Sequence, residues 1–140
     1  MTDKFKIIGK YIKDLSSETK DAETYIFVKD RILKYQLSIN INSKAIRDKM
    51  IEINTIMKLE DKEETKKKSY FEMTYTSIVK ISDDVKDKQE LEKIILCDVQ
   101  SKISPSLEKS FLDMLHNSGY TNMKFEKKLD FEKLYKQRIN

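Results

Sequence analysis

The sequence predicts an α+β fold: a four-stranded antiparallel sheet followed by a long helix and a short C-terminal helix. Three observations carry this prediction. Between Phe5 and Ile81, apolar residues recur with period two in four stretches, the signature of half-buried strands. From Asp84 onward the apolar spacing changes to three and four, which is helical. Two glycines and one proline punctuate 140 residues, so no linker and no repeat divides them and the chain reads as one domain, 1–140. At 39% hydrophobic against 37% charged residues, there is material for one core.

In the first strand Phe5, Ile7, Gly9, Tyr11 and Lys13 share one face while Lys6, Ile8, Lys10 and Ile12 share the other. The polar stretch Asp14 to Glu18 follows. Tyr25-Ile26-Phe27-Val28 is a short apolar cluster that reads as a crossover, assigned to neither strand nor helix. Leu33, Tyr35, Leu37, Ile39 and Ile41 alternate with polar residues and make a strand with one wet face. Ile51, Ile53, Thr55, Met57 and Leu59 make a third, and residues 60–68 a charged hairpin connection. In the fourth, Phe71, Met73, Tyr75, Ser77, Val79 and Ile81 oppose Tyr70, Glu72, Thr74, Thr76, Ile78 and Lys80 across the strand.

Leu91, Ile94, Ile95, Val99 and Ile103 then fall at helical spacing, with Asp83 or Asp84 as N-cap. Ser104 followed by Pro105 predicts an interruption and a new start. Leu107, Phe111, Met114 and Leu115 mark one face until Asn117-Ser118-Gly119 stops the helix. A last short helix runs from Asp130, with Phe131, Leu134 and Tyr135 as its apolar side.

Several functions are excluded. No apolar run exceeds four residues, against the ~20 of a membrane span, and no charged-then-apolar leader opens the chain, so nothing exports or anchors it. One cysteine, Cys97, makes no internal disulfide, and with the single His116 it cannot supply the four ligands of a structural zinc. No metal and no cofactor is expected, and a reducing cytoplasm fits. Net charge is +4, but 25 of 28 cations are lysines, whereas phosphate and base readout favour arginine, so nucleic acid is disfavoured. Lys66-Lys67-Lys68 reads as a solvated hairpin tip. There is no glycine-rich phosphate loop and no G-x-S-x-G elbow, and Cys97 and His116 lie nineteen residues apart. No catalytic residue is assigned, and the chain is not read as an enzyme.

Aromatics outside the clean core stripes need explaining: Tyr25 and Phe27 in the crossover, Tyr120 and Phe125 after the helix, Phe131 and Tyr135 near the end. They are either ordinary core and loop anchors or the walls of an apolar groove for extended peptide. As a groove, Tyr25 and Phe27 form one wall and Tyr120, Phe125, Phe131 and Leu134 the other. An apolar stripe on both sheet and long helix exceeds what a monomer tolerates, so Leu91, Ile94, Ile95 and Val99 are expected to serve subunit contacts as well as helix packing.

The opening Phe5-Lys6-Ile7-Ile8-Gly9-Lys10-Tyr11-Ile12-Lys13-Asp14-Leu15-Ser16-Ser17-Glu18 resembles the first strand of SecB, the bacterial preprotein-export chaperone family. Phe27-Val28-Lys29-Asp30 is similar to the family's crossover, Glu72-Met73-Thr74-Tyr75 to its fourth strand, and Pro105 to Gly119 with Tyr120 to its helix and following aromatic. Leu129 to Tyr135 resembles its closing segment. The resemblance implies a homotetramer, a dimer of dimers with helices between sheets, acting as a passive holdase that keeps unfolded preproteins for the SecA motor without ATP or metal. It also implies that SecA docks on an exposed sheet face at Asp14, Glu18, Tyr70 and Glu72; the nearby lysines Lys10 and Lys13 are expected to dilute the acidic field there. The alternatives are a SecB-like chaperone of a toxin–antitoxin pair or a general peptide-binding module. Two departures stand out: the chain is slightly basic where the family is usually acidic, and Thr76-Ser77 replaces the glycine-rich end of the fourth strand, where a local bulge or packing change is expected.

Overall fold

The computed structural model describes residues 4–125 and 130–139. Strands β1 (Phe5–Glu18), β2 (Gln36–Ala45), β3 (Met50–Glu60) and β4 (Tyr70–Ile81) form one antiparallel sheet in the order β1-β4-β3-β2. Consecutive strands β1 and β2 therefore lie at opposite edges, and the chain between them must cross the sheet. It does so through helix α1 (Ala22–Lys29) and a tight turn, Ile32–Lys34. The crossover thus contains a helix, capped where the Thr24 N–H donates to Asp21 Oδ1 at 2.8 Å. Eight residues that bury only Thr24 and Val28 are too few to print a helical period on the sequence.

β1 continues five residues past Lys13 to Glu18 and contains two register shifts, between Ile7 and Gly9 and between Ile12 and Asp14. Each extra residue reverses the alternation. Ile7, Lys10, Ile12 and Leu15 consequently oppose the inward residues Val79, Ser77, Tyr75 and Met73, while Gly9, Tyr11 and Asp14 oppose Ile78, Thr76 and Thr74 on the open face. This corrects the strict period-two grouping of Tyr11 with Phe5. The irregularity expected near Thr76-Ser77 belongs to β1, not to β4. β2 starts three residues later than Leu33, because Leu33 lies in the turn and is 66% exposed while its neighbour Ile32 is buried.

The long helix is one rod. Helix α2 (Lys88–Lys93) is capped by Asp87, whose Oδ1 accepts from the Gln89 N–H at 3.1 Å, so Asp83 and Asp84 are not its cap. It runs through a π-helical turn, Ile94–Asp98, into α3 (Val99–Asn117) with helical backbone angles at both junctions. Pro105 lies inside α3 and does not restart it. Ile103 and Leu107 on either side of the proline are fully buried, and that anchoring outweighs the single hydrogen bond a proline removes. Lys88 to Asn117 spans roughly 45 Å at 1.5 Å per residue. Gly119, at φ +102°, ends it, and a Cβ there would sit 2.8 Å from Tyr25 Cε1. Helix α4 (Phe131–Ile139) closes the chain.

All helices lie on one side of the sheet, and Ile53, Met57, Phe71, Met73 and Val79 meet Ile103, Leu107, Phe111 and Leu115 in a single core. The other face is open and carries a polar ladder. Asn54 Nδ2 donates to Asn42 Oδ1 and to Glu52 Oε2, both at 3.0 Å, and Thr76 Oγ1 donates to Asn54 Oδ1 at 2.7 Å. The β3–β4 connection is more than a solvated tip. Its Asp61 is buried and takes two hydrogen bonds from Arg31 of the crossover, whose Nη2 also reaches Glu63 at 2.6 Å. Those Arg31 bonds hold the Asp61 carboxyl below the usual carboxylate range.

Candidate functional site

β2 is an edge strand that the rod does not cover, and α4 covers it only in part. Leu37, Ile39 and Ile41, its inward residues, are half-buried. With Leu96, Phe131, Leu134 and Tyr135 they line an apolar groove of about 330 Å³. A second hollow of about 300 Å³ shares Ile41, Leu96 and Tyr135 and prolongs the groove to Ile95 and Glu92. No charged side chain lines the first part, and the outer edge of β2 has no neighbouring strand.

Of the six aromatic and aliphatic residues proposed as groove walls, Phe131 and Leu134 meet here. Tyr120 does not: it is fully buried, stands edge-on to Phe71 with centroids 5.3 Å apart, and its hydroxyl lies 2.9 Å from Thr19 Oγ1 and 2.8 Å from Ser69 Oγ. Tyr25 packs on Tyr120 at 5.3 Å and donates its hydroxyl to the Gly119 carbonyl at 2.7 Å, tying the crossover to the end of α3. Phe27, 39% exposed, lies apart under the Arg31 guanidinium at 6.0 Å, on a surface shared with Ile26 and Lys34. Phe125 stacks on Phe111 at 6.3 Å. The crossover wall and the α4 wall are separate surfaces of the chain. Sequence reasoning missed Leu37, Ile39, Ile41 and Leu96, whose apolar alternation looks like core until β2 is known to be an edge.

The four residues of the expected motor contact share one corner of the open face. Glu18 is directly across from Tyr70, Ser16 from Glu72, and Asp14 from Thr74, and Tyr70 is 59% exposed. Glu72 is paired with Lys58 at 3.2 Å. Lys10 points to the helix side, 3.2 Å from Ser106 Oγ, and Lys13 reaches Glu52 at 3.5 Å, so neither faces this corner's carboxylates. Of the residues expected at subunit contacts, Ile94, Ile95 and Val99 are buried in the chain's own core and Leu91 is half-buried. Exposed apolar residues lie along β1, at Ile8, Tyr11, Ile12 and Leu15, and also at Ile26, Leu33, Ile46 and Tyr70.

Among the described residues, no group of three or more His, Cys, Asp and Glu is placed to hold a metal ion, and no helix is long and apolar enough to cross a membrane. Cys97 is buried, which pushes its thiol pKa up, and His116 Nε2 is engaged with the Met123 carbonyl at 2.7 Å.

The family model described as preprotein translocase subunit SecB matches residues 1–140. The chain belongs to the SecB family. A putative protein-export protein SecB of Pelagibacter ubique (strain HTCC1062) is 60% identical over 140 residues, all of both chains. The protein-export protein SecB of Methylocella silvestris is 21% identical over 131 residues, 94% of this chain and 80% of that one. A solved structure, the SecB-like chaperone Rv1957 of Mycobacterium tuberculosis in complex with a ChAD peptide from the Rv1956 HigA1 antitoxin, has the same fold. Its TM-score is 0.65 at 12% identity, over 89% of this chain and 90% of that chain. SecB is a family of chaperones for preprotein export, and this SecB-family chain is a chaperone, not an enzyme.

Proposed function

We propose that the chain holds unfolded preproteins in the β2–α4 groove and passes them to the SecA motor, as a cytoplasmic homotetramer built as a dimer of dimers. The observation that carries the reading is the groove itself: an uncharged, apolar channel beside an unpaired strand edge suits what unfolded chains share, exposed apolar side chains and unsatisfied backbone. Holding needs no nucleotide, and the groove offers no polar cradle for one. The acidic corner at Asp14, Glu18 and Glu72 beside Tyr70 supports the motor contact. The exposed row Ile8, Tyr11, Ile12 and Leu15 supports subunit contact, since a protomer alone would leave it in water. A client set restricted to an antitoxin would use the same groove, and the export name of the 60% identical relative favours export.

Leu134, 44% exposed on the groove lip, gives the test. Leu134→Glu is expected to leave the oligomer intact in sedimentation while suppression of aggregation of an unfolded client is largely lost. Full suppression by this variant would take the groove out of the mechanism. A stable monomer at micromolar concentration would remove the tetramer.

A further inference from the structure

The acidic corner stands at the end of the β1–β4 ladder, where Glu18 and Tyr70 are the last pair in register. Both are exposed, β1 stops at the one and β4 begins at the other, and the last pair of a ladder frays unless something beyond the ladder holds it. Here three hydroxyls do so. Thr19 Oγ1 lies 2.7 Å from Ser69 Oγ and 2.9 Å from the Tyr120 hydroxyl, and Ser69 Oγ lies 2.8 Å from that same hydroxyl. The ring is closed, so each group can donate one hydrogen bond and accept another. Ser69 and Tyr120 are buried and Thr19 is half-buried. The Ser69 N–H donates to the Tyr35 hydroxyl at 3.2 Å, which fixes the backbone one residue before Tyr70. On the other side of Glu18, Ser17 Oγ lies 2.6 Å from Ser118 Oγ, and because Ser118 gives its own proton to the Met114 carbonyl at 2.7 Å, Ser17 is the donor.

We infer that Thr19, Ser69 and Tyr120 are positioning residues for the motor contact, holding Glu18 and Tyr70 in docking geometry from the opposite face of the sheet. The inference rests on the reading of this corner as the SecA contact. Alternation sets the arrangement: Ser17 is paired with the inward residue Phe71, so Glu18 and Tyr70, one residue along each strand, turn outward. The hydroxyls therefore act through the docking pair and not by touching the motor. Their effect is on ordering. A docking side chain on a frayed strand end must be fixed at the moment of binding, which costs affinity, whereas a strand end already held avoids that cost. Because the ring is largely buried, removing one hydroxyl leaves the other two short of a partner that water does not replace. Ser17, Thr19 and Ser69 all bond to residues 118–120, which also carry the Tyr25 bond to the crossover, so the corner and the crossover share one anchor.

The test measures SecA association and dissociation by surface plasmon resonance on the immobilised full chain. Thr19→Val exchanges the hydroxyl for a methyl of nearly the same shape and is expected to speed dissociation about three- to tenfold. The association rate and its salt dependence are set by carboxylates that remain, and should not change. Thr19→Ser keeps the hydroxyl and should dissociate like the unaltered chain, while Tyr120→Phe should match Thr19→Val. Suppression of client aggregation should be the same in all three. Thr55→Val removes a buried hydrogen bond where β3 meets the rod, away from the corner, and reports what loss of stability does alone; both of its rates should be unchanged. Dissociation unaltered in Thr19→Val and Tyr120→Phe, or accelerated equally in Thr19→Ser or in Thr55→Val, overturns the inference. Should Tyr120→Phe fail to fold, the two variants of the half-buried Thr19 carry the same comparison. If reversal of Asp14, Glu18 and Glu72 weakens SecA binding and the hydroxyl variants do not, the corner stands and the positioning role falls. If the reversal has no effect either, both fall.

Discussion

Thr55 Oγ1 donates to Gln100 Oε1 at 2.8 Å, and neither residue has any solvent exposure. This bond joins β3 to the rod across the core. Gln100 Nε2 in turn donates to the Ile95 carbonyl at 3.2 Å, inside the π-helical turn. Widening the helix at 94–98 loosens the regular backbone ladder, and the glutamine side chain serves the affected carbonyl while fixing the rod's rotation on the sheet. Thr55→Val and Gln100→Leu should each cost about 1–3 kcal/mol, because a buried polar partner is left unsatisfied. The double variant should lose less than the sum. A double-mutant cycle by chemical denaturation checks it, and strict additivity would refute the coupling.

Ser77 gives the opposite expectation. Among the described residues, its Oγ is the buried side-chain polar atom with no hydrogen-bond partner. Ser77→Ala removes an unsatisfied group from the core and is expected to be stabilising by about 1 kcal/mol. A fall in the denaturation midpoint would show that the hydroxyl is used.

The Tyr25–Gly119 contact fastens the crossover to the end of α3. Gly119→Ala meets both a left-handed backbone and the Tyr25 ring, and should cost about 1–3 kcal/mol. Tyr120→Phe, which deprives Thr19 and Ser69 of their shared partner, should cost about 1 kcal/mol. Thermal melts of the two variants rank them, and equal melting temperatures with the unaltered chain would dismiss the lock.

For the motor, reversing Asp14, Glu18 and Glu72 together should weaken SecA binding and leave the oligomer unchanged, with the difference shrinking as salt is added. Lys58 already compensates Glu72, so Glu72→Lys alone should have the smallest effect of the three. Calorimetric titration of SecA into each variant measures this. An unaffected triple variant would exclude the corner.

Acid should loosen the crossover. The folded Asp61 carboxyl lies below its unfolded value of about 3.9, so its stabilisation is complete above that value and is lost as pH falls through the folded one. Hydrogen exchange of residues 22–34 is expected to accelerate below about pH 4. Asp61→Asn should already exchange fast at neutral pH and lose that dependence, and a variant retaining it would assign the transition to another group.

The order of the four strands and of the long and short helices after them, the bounds of β3 and β4 within one residue, and the inward faces of β2, β3 and β4 follow from the sequence alone, whereas helix α1 in the crossover does not. Alternation and helical spacing are local properties, written in neighbouring residues. What tertiary structure decided depends on what lies opposite. The two extra residues in β1 look like ordinary alternation until β4 is beside them. Pro105 reads as a helix start until Ile103 and Leu107 are seen anchored on the sheet. Tyr120, after the long helix, and Leu134, on the apolar side of the last one, read alike as candidate groove walls, yet one is the centre of the core and the other the lip of a groove. β2 reads as a half-buried strand wherever it stands, and only its place at the sheet edge, forced by the crossover between β1 and β2, turns Leu37, Ile39 and Ile41 from core into binding surface.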